Sequence, residues 1–215
     1  MSGTLGLLSS EEFGAECLAW VELSDRLGDG WRLEQGVQGC YLRRLATQAL
    51  QLGVQEGWVQ VGCEWEVHYS LAYSTPLLLA RFSHPTGEPL SLEEVWGGVV
   101  PPGAGAWDRV SPAPHPVTGL PWIQVHPCRT AEVTGLLLGQ QCQGQQTQGQ
   151  QPQGQQLQGQ QHLGQQLQGQ QPKGQHSLNQ SPIARPSYLV AFLSLYGQGL
   201  GLRVSEQYAR QPPPL

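Results

Sequence analysis

What this chain lacks narrows its function before any motif is considered. Charge is scarce: Asp, Glu, Lys and Arg make up 13% of the 215 residues, with a formal net charge of -5. Displacing counterions from phosphates takes clustered Lys and Arg, so the composition speaks against a nucleic-acid binder. No apolar run approaches the ~18 residues that would span a bilayer, and no stable membrane insertion is expected. The opening MSGTLGLLSSEEF has neither a basic n-region nor a long apolar h-region, so no signal peptide is read. No Cys-x-x-Cys pair occurs among Cys17, Cys40, Cys63, Cys128 and Cys142. An odd number of cysteines in irregular spacing reads as free thiols in a reducing cytoplasm, not as a disulfide framework. The expectation is a soluble cytoplasmic protein.

What the chain has in excess is glutamine and glycine in one place. From Gly139 to Gly174 a glycine recurs every five residues, with filler that is almost all Gln. Such a tract cannot bury enough apolar surface to offset an ordering cost of about 1–2 kcal/mol per residue. Its period is also far below the roughly 20 residues of the shortest solenoid repeats. Residues 139–181 therefore read as a disordered insertion, a tolerated expansion or a Gln-rich interaction tract. Residues 1–138 and 182–215 are left as one domain.

Within that domain, Ser9 and Glu12 have capping-box spacing ahead of a stripe of Phe13, Cys17, Trp20, Leu23 and Leu27, with Gly28 as a stop. This predicts an N-terminal helix. WRLEQ, GCYLRRLATQAL, WEVHYSLAY and TPLLLARFS read as strands, the last two as a hairpin turning at Ser74-Thr75. SLEEVWGG reads as a short helix capped by Ser91 and Glu94. A Pro/Gly-rich loop over 101–121 leads to a strand, PWIQV, and then to RTAEVTGLLLG as one to three helical turns. SYLVAFLSLYGQGLGL is apolar nearly all round, as a buried helix would be. GQGLG lacks the strand-turn-helix order of a dinucleotide loop and reads as a helix end and turn. The order of elements is α+β, with helices packed on an antiparallel sheet.

One cysteine stands apart. Cys128, in PWIQVHPCRTAEV, follows His126 and Pro127 and precedes Arg129, where a strand gives way to a helix N-terminus. A thiol attacks as its thiolate, which positive potential and exposure favour. Pro127 holds His126 out of helical geometry, so the corner is fixed. Cys17, Cys40 and Cys63 lie on or beside predicted core elements, where free cysteine packs as a small hydrophobe, and Cys142 falls in the repeat. Cys128 is either a nucleophile or a structural thiol. A zinc site from His126, Cys128, His115 and Cys142 lacks two well-spaced ligand pairs. A Cys-His-Asp hydrolase could draw on His115 or His84 with Asp108, but nothing fixes the base.

Three separated stretches carry a family resemblance: WEVHYSLAYSTPLLLARFSHPTGEPLSLEEVW, WDRVSPAPHPVTGLPWIQVHPCRT and YLVAFLSLYGQGLGLRVSEQYA. Together they resemble the E2-like conjugating enzymes of autophagy, whose active-site cysteine ends a His-Pro-Cys tripeptide in two branches. The Tyr-x-x-Pro strand pair, PLSLEEVW and the Trp-Asp…His-Pro…His-Pro-Cys order are similar to the autophagy-related protein 10 branch. The resemblance implies a ubiquitin-conjugating-like fold, a curved antiparallel sheet with helices packed on it, without metal or small-molecule cofactor. It implies that Cys128 takes a ubiquitin-like modifier, autophagy-related protein 12, from the activating enzyme autophagy-related protein 7. The modifier then passes to a lysine of autophagy-related protein 5.

The chain departs from ordinary ubiquitin-conjugating enzymes at one point. Their His-Pro-Asn tripeptide is His115-Pro116-Val117 here, so the amide credited with holding the oxyanion is missing. Two side chains are candidates to replace it. His126 could donate, or could be a shaping residue bonded to backbone. Tyr73, placed on the strand before the Ser-Thr-Pro turn, could donate, as the family's matching tyrosine implies, or could anchor the sheet. His68 is expected to be a strand residue without a chemical task. The alternative to the enzyme is a non-catalytic scaffold on the same fold, with the Gln tract as its working part.

Overall fold

The computed structural model describes residues 7–52, 57–100, 110–144 and 187–210, with backbone alone at 137 and 140–144. Helix α1, Ser10–Leu27, begins at the capping box read from the sequence: Ser9 Oγ accepts from the Glu12 amide, and the Glu12 carboxylate accepts from the Ser9 amide at 2.8 Å. It ends at Gly28, whose φ of 68° is the left-handed geometry that glycine adopts without a Cβ penalty. Phe13, Cys17, Trp20 and Leu23 are buried along its inner face, and Leu27 is partly buried.

Six strands follow: β1 Trp31–Gly36, β2 Gly39–Gln51, β3 Trp58–Ser70, β4 Thr75–Ser83, β5 Val110–Pro114 and β6 Pro121–Val125. They form one antiparallel sheet in the order β1-β2-β3-β4-β6-β5. Between β4 and β5 lies a short helix, α2, Leu92–Glu94, with the predicted Ser91–Glu94 capping box. After β6 come a single 3₁₀ turn, Pro127–Arg129, and α3, Thr130–Gly144; the chain closes with α4, Tyr188–Tyr196, a 3₁₀ turn, Gly197–Leu200, and α5, Gln207–Arg210. This is the α+β, ubiquitin-conjugating-like architecture expected.

The core lies between the sheet and the helices. Val61, Cys63, Trp65 and Val67 alternate along β3 and meet the α1 stripe together with Leu189, Phe192 and Leu193 of α4. Burial of a side chain such as Phe13 or Phe192 contributes about 1.5–3 kcal/mol. The Trp65 indole donates to the Leu200 carbonyl at 2.8 Å, tying the central strand to the turn after α4. That turn is the GQGLG segment, which ends on Gly201 at φ 65°. A second tie crosses from α1: the Glu16 carboxylate accepts from Ser187 Oγ at 2.5 Å and from the Tyr188 and Leu189 amides. One helix thus supplies the N-terminal cap of another.

Three boundaries differ from the sequence reading. β3 starts at Trp58 and stops at Ser70, so residues 71–74 form a four-residue turn and Tyr73 lies in it, not on a strand. β5 occupies part of the stretch read as loop. It is the edge strand of the sheet, where prolines such as Pro112 cost no inner ladder bond. Helix α3 runs to Gly144 and carries the first Gln-rich residues as helical backbone; the rest of the 139–181 tract lies outside the described residues.

Candidate active site

The corner that presents Cys128 is built from local chain chemistry. β6 ends at Val125, and His126, restricted by the following proline, is extended at φ -67° and ψ 125°. Pro127 is buried and opens the 3₁₀ turn, where its missing N–H costs nothing. Cys128 projects from that turn and is exposed, whereas Cys17 and Cys63 are buried and Cys40 is partly so. Burial pushes the thiol of Cys63 up to about 11 and that of Cys17 up further. Of these four sulfurs, the one at the corner is the one open to reagents.

His126 acts first on the backbone. Its Nδ1 accepts from the Cys128 amide at 3.2 Å, capping the turn. With Nδ1 an acceptor, the ring proton sits on Nε2, which is left to donate. His126 is thus bonded to backbone, the second of the two roles read for it. The Arg129 guanidinium is 3.6 Å from the Glu132 carboxylate, both well exposed, so its field is shared and solvated.

Tyr73 reaches the same corner from the β3–β4 turn. Its ring meets that of His126 edge-on at 6.2 Å between centroids, and the side chain is 44% exposed. Its position in a turn, and not in the sheet, excludes the reading as a sheet anchor. Cys128, His126 and Tyr73 therefore share one surface.

The remaining histidines lie elsewhere. His68 is a strand residue as read, but it is buried with His115, and both Nε2 atoms meet one oxygen of buried Glu66, at 2.6 and 2.7 Å. Tyr41 stacks on His68, and Trp122 packs on His115. Burial pushes the Glu66 carboxyl up, but the two imidazole hydrogen bonds outweigh that and hold it below its ordinary value. Among the described residues this is the single group with metal-ligand proximity. Its hydrogen pattern does not fit a metal: His115 Nδ1 accepts from the Val117 and Thr118 amides, at 3.3 and 3.2 Å. The proton is thereby on Nε2, leaving no lone pair there for an ion. The zinc set of His126, Cys128, His115 and Cys142, set aside on its spacing, finds no support in the structure either, since His115 is bonded to Glu66. The Cys-His-Asp set fares no better: His84 is 3.1 Å from Glu94, and Asp108 lies outside the described residues.

Sequence reasoning missed the Glu66 cluster. The signal was present in the period-2 alternation of β3, which puts Glu66 and His68 on the face opposite Trp65 and Val67. Only the fold supplies the third member, from the β5–β6 turn.

Residues 54–207 match the family described as the autophagocytosis associated protein, active-site domain. The chain belongs to this family. The human ubiquitin-like-conjugating enzyme ATG10 is 38% identical over 74 residues, which cover 32% of this chain and 34% of that protein's length. The aligned stretch thus spans about a third of that curated relative. Among the described residues of this family member, no helix is long and apolar enough to cross a membrane.

Proposed function

We propose that this protein is an E2-like conjugating enzyme of autophagy that works in the cytoplasm and carries a ubiquitin-like modifier as a thioester on Cys128. The observation that carries the reading is an exposed thiol at a strand-to-helix corner, next to which the rings of His126 and Tyr73 meet. The named partners follow the family resemblance: autophagy-related protein 12 as modifier, autophagy-related protein 7 as its donor and autophagy-related protein 5 as acceptor.

In the loading step the Cys128 sulfur attacks the carbonyl carbon of the modifier's C-terminal glycine. The activating enzyme's cysteine leaves and takes up the proton that Cys128 gives. In the transfer step an acceptor lysine nitrogen attacks that carbonyl; the C–N bond forms, the C–S bond breaks, and Cys128 regains a proton. A lysine amine is mostly protonated at neutral pH, so holding it neutral and aligned beside the thioester supplies much of the acceleration. The addition in the transfer step passes through an oxyanion that needs a donor. The Cys128 amide is committed to His126, which leaves the His126 Nε2–H and the Tyr73 hydroxyl to serve. These replace the amide absent at Val117.

The test mixes the protein with activating enzyme, modifier and ATP and resolves the product without reductant. A slower band that disappears on adding thiol is expected. Absence of that band would favour the scaffold alternative, in which Cys128 has no covalent task.

A further inference from the structure

Tyr73 sits in a turn, so something must fix the turn. Ser74, its last residue, has φ 50°, a left-handed conformation that a serine holds only when its surroundings impose it. The Ser74 carbonyl accepts from the Leu8 amide at 2.9 Å. The Leu8 carbonyl in turn accepts from the Tyr69 hydroxyl at 2.6 Å. Tyr69 lies at the end of β3, and its ring packs on Phe13 of α1, 5.6 Å between centroids. Leu8 is buried and immediately precedes the Ser9 cap of α1. One residue of the N-terminal segment is therefore gripped from both sides, by the strand that enters the turn and by the turn's last carbonyl.

We infer that Leu8 and Tyr69 form a clamp that sets the β3–β4 turn and so positions Tyr73 against His126. The N-terminal segment is then a working part of the active corner, and Tyr69 is a positioning residue that acts through Tyr73. This rests on the proposed role of Tyr73 only for its effect on catalysis; the clamp itself is a matter of geometry. Displacing a transition-state donor by about 1 Å can cost on the order of 100-fold in rate. Loading by the activating enzyme and discharge to lysine should respond unequally, because in discharge the acceptor amine must also be aligned against the carbonyl that Tyr73 would polarise.

Tyr69→Phe removes one hydroxyl and leaves the ring against Phe13. Thioester loading should stay within about twofold of the parent, while discharge to lysine falls roughly 10- to 100-fold. The double variant Tyr69→Phe/Tyr73→Phe should discharge no more slowly than Tyr73→Phe alone, since a residue acting through another adds nothing once that one is gone. The nuclear Overhauser contact between the Tyr73 and His126 rings should be lost in Tyr69→Phe. In the unmodified protein, the Leu8 amide should exchange with solvent far more slowly than that of Leu7, which needs no variant to fold. A persistent ring contact in Tyr69→Phe, multiplicative loss in the double variant, or an unprotected Leu8 amide would each overturn the clamp. Loss of the ring contact together with normal discharge by Tyr73→Phe would uphold the clamp and remove Tyr73 from the chemistry.

Discussion

The rings of Tyr73 and His126 meet edge-on, 6.2 Å between centroids, although the two lie 53 positions apart in sequence. The two candidate donors thereby meet beside the corner that presents Cys128. Tyr73→Phe and His126→Ala should each slow discharge to lysine by roughly 100- to 1,000-fold, in line with the loss of one oxyanion donor, with a smaller effect on loading. His126→Ala also uncaps the 3₁₀ turn, so His126→Asn, which can still accept from the Cys128 amide, should recover part of the loss. Single-turnover assays of the two steps separate the outcomes, and equal loss at both steps would point to a damaged fold.

Thiol chemistry distinguishes the four described sulfurs. A maleimide should label Cys128 fastest and Cys40 more slowly, with Cys17 and Cys63 silent until the protein unfolds. Exposure sets the order, and burial, which raises the Cys63 thiol to about 11, keeps that sulfur protonated as well as covered. Peptide mapping after timed labelling reads the order directly; early labelling of Cys63 would contradict the packing described.

The Glu66 cluster should make the fold acid-sensitive. Because the folded carboxyl lies below its ordinary value, its contribution is fully present above the unfolded carboxyl pKa, about 4.3, and fades as pH falls through the lower folded value. Glu66→Ala strands two buried imidazole N–H donors and should cost about 2–6 kcal/mol, from roughly 1–3 for each. Glu66→Gln keeps an acceptor but loses the charge and should cost less. Denaturant unfolding from pH 7 down to pH 3 tests both statements: the parent should lose stability over a range in which Glu66→Gln is less affected.

How much of this was legible in the sequence depends on the range of the interaction. The α1 cap at Ser9, its stop at Gly28, the strand PWIQV and the proline-set corner at Cys128 are decided within a few residues, and the structure reproduces them. β5 was hidden because its prolines forbid an inner strand and only sheet order reveals it as an edge. Tyr73 reads as strand because LAYS continues the apolar run of β3, while the hydrogen bond from Leu8 to Ser74 beside the turn is a tertiary contact. The bond from the Cys128 amide to His126 Nδ1 has no sequence signature, because sequence cannot say which ring nitrogen accepts. His68 and His115 lie 47 residues apart (115 minus 68), and nothing local joins them to Glu66.

The Glu16 cap on α4 bears on the Gln-rich tract. Because α1 holds the first turn of α4, that helix is tied to the domain by bonds from outside the tract. Replacing residues 145–181 with a flexible Gly/Ser linker should leave thioester formation intact. Glu16→Ala should lower stability by about 1–2 kcal/mol, the scale of a lost helix cap, measurable by chemical denaturation. Insoluble protein after the deletion would show that the tract does more than connect.

The most direct test concerns the sulfur itself. Cys128→Ser, incubated with activating enzyme, modifier and ATP, should accumulate an oxyester that resists thiol, yields to mild alkali and gives no final conjugate. Final conjugate formed at the parent rate by Cys128→Ser would contradict the account.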